Sequence, residues 1–300
     1  MFDVRPEGAA RTLPVAQAIG QLPLPVSGTA SATLIEGQKV NTTKCDLAAK
    51  VPEVTLLFWI IKVLATTLGE TGGDAVTMSW LGETTPSATG SGYFIGTGIF
   101  GVIFIAAVVV QIIAEGFHPF LYWLTIVATT TVGTTLADYC TRSLGIGYTG
   151  GSTILLSCVI ASLLIWWRST GSISVETVST PKVEVFYWVT IMFSQTLGTA
   201  LGDWVADTNS MGYIGAATVF GALLALTALL YYFTSISHAV LFWAAFVLTR
   251  PLGATLGDFL DKPVAEGGLA MSRYTASGVL ALVIIALILI FPQKAAAKAH

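Results

Sequence analysis

The stretch FWIIKVLATTLGETGGD, Phe58 to Asp74, returns three times: YWLTIVATTTVGTTLAD (Tyr122 to Asp138), YWVTIMFSQTLGTALGD (Tyr187 to Asp203) and FWAAFVLTRPLGATLGD (Phe242 to Asp258). In each copy Trp stands ten residues before a Gly: Trp59 and Gly69, Trp123 and Gly133, Trp188 and Gly198, Trp243 and Gly253. In each copy Asp follows that Gly by five, at Asp74, Asp138, Asp203 and Asp258. One spacing kept four times is an internal repeat, so the fold is to be built from four related units.

Outward from each copy lies a second apolar run that opens with a Tyr, at Tyr93, Tyr148, Tyr213 and Tyr274. The unit is therefore a helix, a loop and a helix. Units are expected at 51–115, 116–180, 181–235 and 236–292, between a Gly-, Ala- and Pro-rich tail over 1–50 and a short polar tail over 293–300. The first tail has no sustained apolar run and reads as disordered. A chain beginning at Val40 would give VNTTKCDLAAK as an ordinary short N-terminus.

Only a tenth of the side chains are charged and over half are apolar. Mean hydropathy is +0.77. Runs of this length span a bilayer, which takes roughly 20 residues of helix. Backbone groups cannot stay unpaired in lipid, and continuous apolar runs rather than ten-residue alternation argue for helices. Segments are expected near 54–74, 92–114, 119–139, 150–167, 183–204, 212–233, 239–259 and 274–291. A net charge of −3 gives no reason to expect nucleic acid. Cys45, Cys140 and Cys158 show no metal or disulfide spacing. His118 and His238, without matching Cys, do not make a zinc site.

Two spans per unit give every unit the same orientation. The expected fold is all-α: eight transmembrane helices as four parallel two-helix repeats, pseudo-four-fold about the membrane normal. Both termini then lie on one side, with Lys44, Lys50, Arg168, Lys182, Lys294 and Lys298, against Arg142, Lys262 and Arg273 on the other. That bias favours cytoplasmic termini and, for a bacterial chain, the inner membrane.

Stepping back from Asp along a helix gives one polar stripe. Four back stand Glu70, Thr134, Thr199 and Ala254; seven back Thr67, Thr131, Thr196 and Pro251; eight back Thr66, Thr130, Gln195 and Arg250. A mid-helix Asp facing lipid costs about 2.5–3.5 kcal/mol, so the stripes are expected to face a shared axis, with the apolar second helices outside. Four carboxylates converging at helix C-termini repel each other unless protons or a cation join them. Carboxylate and hydroxyl oxygens suit a hard divalent ion.

Asp74, Asp138, Asp203 and Asp258 are thus candidate metal ligands, with Glu70 as an extra ligand or proton carrier. Thr67, Thr131, Thr196, Thr134 and Thr199 would line a path; Arg250 and Lys62 would each act as a gate or in a charge pair, Arg250 with Glu70 or one of the ring Asp. Pro251 would bend or break helix 7. The Gly pairs at 69/73, 198/202 and 253/257 are GxxxG packing signals.

The residues point to a transporter or channel for a divalent cation of the Mg²⁺ or Mn²⁺ class, the ion being substrate and no cofactor being called for. The lipid bilayer is the expected partner. A non-transporting scaffold or regulator and an exporter of small organic cations are the alternatives. No nucleophile–base pair or metal-protease spacing points to an enzyme.

The FW/YW, T(T)xG and Gly/Ala-Asp pattern over Lys50 to Phe291 resembles a bacterial family of integral membrane proteins known as a membrane repeat of unknown function, which implies architecture and no activity. LGETGGDAV at 68–76 is also similar to small cation/proton exchangers with a Glu-x-Gly-Asp motif, but lacks their basic residue after Asp.

Overall fold

The computed structural model describes residues 49–208 and 211–296. The expected tail therefore lies outside the described residues as far as residue 48, as do Lys44, Cys45 and Lys298. Among the described residues are eight helices: α1 (Leu56–Asp74), α2 (Ser91–Ile113), α3 (Pro119–Asp138), α4 (Gly147–Thr170), α5 (Pro181–Thr208), α6 (Gly212–Phe233), α7 (His238–Asp261) and α8 (Arg273–Ile290). Local chemistry sets their ends. The Thr55 hydroxyl accepts from Phe58 N–H at the start of α1, Pro119 opens α3, and Gly171 closes α4 in the left-handed conformation.

Six helices, α2, α3, α4, α6, α7 and α8, are long and apolar enough to cross a membrane. The helix α1 falls short because it carries Lys62, Glu70 and Asp74, and α5 is less apolar because Thr190, Ser194, Gln195, Thr196 and Thr199 lie along its middle. Burial divides the set. Only 17% of the apolar window of α2, α6 and α8 is buried, against 72% for α3 and 56% for α7. The second helix of each repeat thus presents Leu, Ile, Val and Phe outward, while the first is covered.

The first helices close on one another. The helix α1 packs on α3 and α7, and α5 packs on the same two, so α1, α3, α5 and α7 form a cycle of neighbours. Each second helix covers the next first helix: α2 on α3, α4 on α5, α6 on α7, and α8 back on α1. One small-residue contact recurs around the cycle. A Cβ at Gly69 would collide with Thr130, at Gly133 with Gln195, at Gly198 with Arg250 and at Gly253 with Thr66. Across two of these interfaces a hydroxyl tightens the fit, Thr130 donating to Ala65 O and Thr66 to Thr249 O, each at 3.2 Å.

Three expectations need correction. Asp74 and Asp138 close the α-helices α1 and α3, but none of the four Asp ends the helical path. Beyond Asp74 and Asp138 the chain continues as π-helical turns to Trp80 and Ser143, and α5 and α7 run on to Thr208 and Asp261. Pro251 does not break α7, which is continuous through it, its missing N–H occurring where Arg250 and Pro251 pack on Gly198. Residues 49–50 are not tail: Lys50 is buried, with its Nζ 2.8 Å from Glu184 and donating to Ile112 O at 2.9 Å. Pro52 pairs antiparallel with Ala295, and Glu53 N–H donates to Lys294 O at 2.9 Å. The first and last described segments therefore lie together, over an aromatic cluster of Phe58, Tyr122, Trp123, Trp166, Tyr187, Trp188 and Trp243.

Candidate functional site

Counting back from each Asp in steps of four gives five levels along the inner faces of α1, α3, α5 and α7. Every residue in them is buried except the partly buried Phe242. At the first level are the four Asp. Next come Glu70, Thr134, Thr199 and Ala254, then Thr66, Thr130, Gln195 and Arg250. Beyond those are Lys62, Ile126, Ile191 and Phe246, and last Phe58, Tyr122, Tyr187 and Phe242. Side chains fill each level. The Tyr122 and Tyr187 hydroxyls are 2.7 Å apart, joining α3 to α5 at the aromatic end.

Arg250 holds the middle. Its Nη1 donates to Glu70 Oε2 at 2.9 Å, and its Nη2 to Thr134 Oγ1 at 2.6 Å and Thr199 Oγ1 at 2.5 Å. One guanidinium from α7 thus reaches α1, α3 and α5. Thr134 also donates to Glu70 Oε2 at 3.2 Å. A fully buried ion pair of this kind is satisfied only by such added hydrogen bonds.

At the Asp level the carboxylates do meet, but as two pairs. Arg142 donates from Nε to Asp138 at 2.7 Å and brings Nη2 within 3.8 Å of Asp203. Lys262 lies 2.6 Å from Asp74 and 3.1 Å from Asp258. Each cation stands four residues after the Asp of its own helix, on the same face, and reaches the Asp of the next repeat. Burial works against the Lys262 ammonium, yet Asp258, Asp74 and Asp261 outweigh it and hold its pKa well above the ordinary lysine value. Beside it, Arg273 pairs with Asp261 at 2.8 Å and approaches Asp74 to 4.0 Å.

Oxygens of Glu70, Asp74 and Asp258 lie within 4.8 Å of one another, and all three residues are buried. Asp74 Oδ1 is buried without a hydrogen-bond partner among the described residues. Among the described residues, the six carboxylates of Glu70, Asp74, Asp138, Asp203, Asp258 and Asp261 stand within salt-bridge distance of four cations, Arg250, Arg142, Lys262 and Arg273, so negative charge is in excess.

Of the expected path residues, Thr134 and Thr199 reach the centre. Thr67, Thr131 and Thr196 instead donate to the carbonyls of Val63, Val127 and Met192 on their own helices, at 2.8–3.0 Å. That is how a Thr seven back from Asp, beside rather than on the inner ladder, satisfies its hydroxyl without water. Among the described residues Lys62 has no charge partner: its Nζ lies over the Phe246 ring, 4.2 Å from the centroid. Eight residues of helix, about 12 Å, separate it from Glu70.

A family model describes the same periodicity, matching residues 57–117, 121–172, 186–237 and 241–292. The chain belongs to the Repeat of Unknown Function family, DUF347. Each matched DUF347 segment contains one Trp, one ring-contact Gly and one Asp of the series. The DUF347 units alternate: the second and fourth place a cation four residues after Asp, where the first and third have Met78 and Asp207. No curated protein and no solved structure matches the chain.

Arg142 and Lys262 were missed by sequence reading, which counted them as loop charges. The signal was present in that four-residue spacing, and it becomes readable once the helix is known to run on past Asp.

Proposed function

We propose that this chain is a multi-pass membrane protein that moves a hard divalent cation of the Mg²⁺ or Mn²⁺ class through the ring of first helices, and that it is not an enzyme. The buried convergence of Glu70, Asp74 and Asp258, with an unpartnered Asp74 oxygen among them, carries this reading. Oxygen donors with excess negative charge fit such an ion. All eight helices cross the bilayer in this reading, since α1 and α5 lie between α3 and α7 and need not show their polar faces to lipid. The recurring Gly contacts support a pseudo-four-fold axis along the membrane normal. The aromatic end, with both termini, faces the cytoplasm of a bacterial cell.

Arg142, Lys262 and Arg250 act as tethered cations. They occupy the carboxylates while the ring is closed and yield them to the substrate ion when it opens. Purified protein in liposomes is expected to take up Mn²⁺ above the rate of empty vesicles. Asp258→Asn and Asp138→Asn should each lower that rate at least tenfold. Wild-type rates in both variants would refute the proposal.

The pairing of every ring Asp with a basic side chain favours a second reading, a non-transporting scaffold or regulator held together by its ion pairs. In that case folded protein would give no uptake above empty vesicles, and the Asn variants would lose stability alone.

A further inference from the structure

Lys62 is an ionisable group on the inner ladder that the carboxylate cluster does not use. It lies in the middle of α1 and is fully buried. Its Nζ has no hydrogen-bond partner among the described residues, and its described neighbour is the face of the Phe246 ring. From α7, Arg250 presents a second positive charge one level nearer the acids. From α3 and α5 come the Tyr122 and Tyr187 hydroxyls, which are bonded to each other. The charged group of α8, Arg273, is tied to Asp261 at the far end. On its own helix Glu70 is taken by Arg250.

A permanent ammonium at this position would face a like charge with no counter-charge, and a methionine would fill the same space without that cost. Lysine differs from methionine, and from arginine, in being able to exchange a proton when buried. Gln195, at the Arg250 level on α5, has both amide atoms unpartnered, and Arg250 Nε is unpartnered too. Buried polar groups of three helices are thus left unsatisfied at two adjacent levels, which is uncommon unless they serve a changing partner.

We propose that Lys62 is the proton-carrying residue of the axis. Its Nζ lone pair takes up one proton to form the ammonium and gives the same proton back. The Gln195 amide supplies a donor and an acceptor beside Arg250 for the changing charge. A charged Lys62 repels Arg250 and presses it onto Glu70; the free amine lets Arg250 loosen. For its consequence, that cation movement is coupled to protons, the inference rests on the cation-carrier reading.

Two measurements test it. Melting temperature in detergent is followed from pH 5 to pH 10 for wild type, Lys62→Met and Lys62→Arg. The wild type should show a pH-dependent step that both variants lack, whereas a lysine that stays an ammonium in the folded as in the unfolded chain would give three parallel profiles. Identical pH profiles in the three proteins would overturn the proposal, and this arm needs no metal. In liposomes, Lys62→Arg should flatten the pH dependence of Mn²⁺ uptake at least fivefold while leaving Mn²⁺ binding within twofold of wild type. An unchanged uptake profile would overturn the coupling. Absence of Mn²⁺ binding in the wild type would sink the carrier reading and leave the melting arm standing.

Discussion

At the scale of single residues, Arg250 carries the largest consequence. Its guanidinium is the common partner of Glu70, Thr134 and Thr199. Removing one member of a buried pair leaves the other charge uncompensated, at about 3–5 kcal/mol. Arg250→Leu should therefore destabilise the protein by about that amount in reversible unfolding, and the double change with Glu70→Leu should recover most of it. A single-variant loss below about 1 kcal/mol would mean that the pair is not buried as described. That Arg250 pairs with a carboxylate was legible from sequence, because an Arg at membrane depth needs an acid; which acid, Glu70 or a ring Asp, was not. The bonding of Thr67, Thr131 and Thr196 was not: a hydroxyl seven residues from Asp suits either a path or its own helix, and only packing decides. Lys62 misled for a related reason, since sequence marks a buried charge without showing that its neighbour is an aromatic ring.

At the scale of elements, small residues decide how closely the first helices approach. Gly253 lies against Thr66 and Gly69 against Thr130, with no space for a methyl group, whereas Gly98 and Gly221 face open space. Gly253→Ala should cost about 1–3 kcal/mol through overpacking. Gly221→Ala should be neutral or stabilising by about 0.5–1 kcal/mol, because it removes only helix flexibility. Thermal unfolding of the two variants checks the contrast, and equal effects would contradict the packing. Lys50 offers a third case. Lys50→Met should loosen the segment over the aromatic end and speed hydrogen exchange of the Glu53 and Ala296 amides, leaving α7 unchanged. The helices were readable within a few residues because their apolar runs are long. Their ends past Asp were not, because the π-helical turns at Ala75–Trp80 and Tyr139–Ser143 carry no apolar period.

At the scale of the whole molecule, the closing of the cycle matters most, because it brings residues from distant repeats to one place. The interface between α7 and α1 joins the last repeat to the first. So does the α8–α1 contact, where the Thr71 and Ser277 hydroxyls are 2.9 Å apart; cysteines at these two positions, in a background without the native Cys, should cross-link within one chain. Cross-linking only between chains would contradict closure. The four-unit periodicity made a ring expected from sequence. The sorting of its acids into two pairs was hidden, because it depends on Arg142 and Lys262 reaching across to Asp203 and Asp74. The most direct test of the central claim is the binding of Mn²⁺ to purified protein in detergent, followed by electron paramagnetic resonance. The convergence of carboxylates predicts about one bound Mn²⁺ per chain, weakened at least tenfold by Asp74→Asn and by Asp258→Asn and unaffected by Asp207→Asn, whose carboxylate is exposed. No saturable binding, or binding indifferent to Asp74 and Asp258, would contradict it.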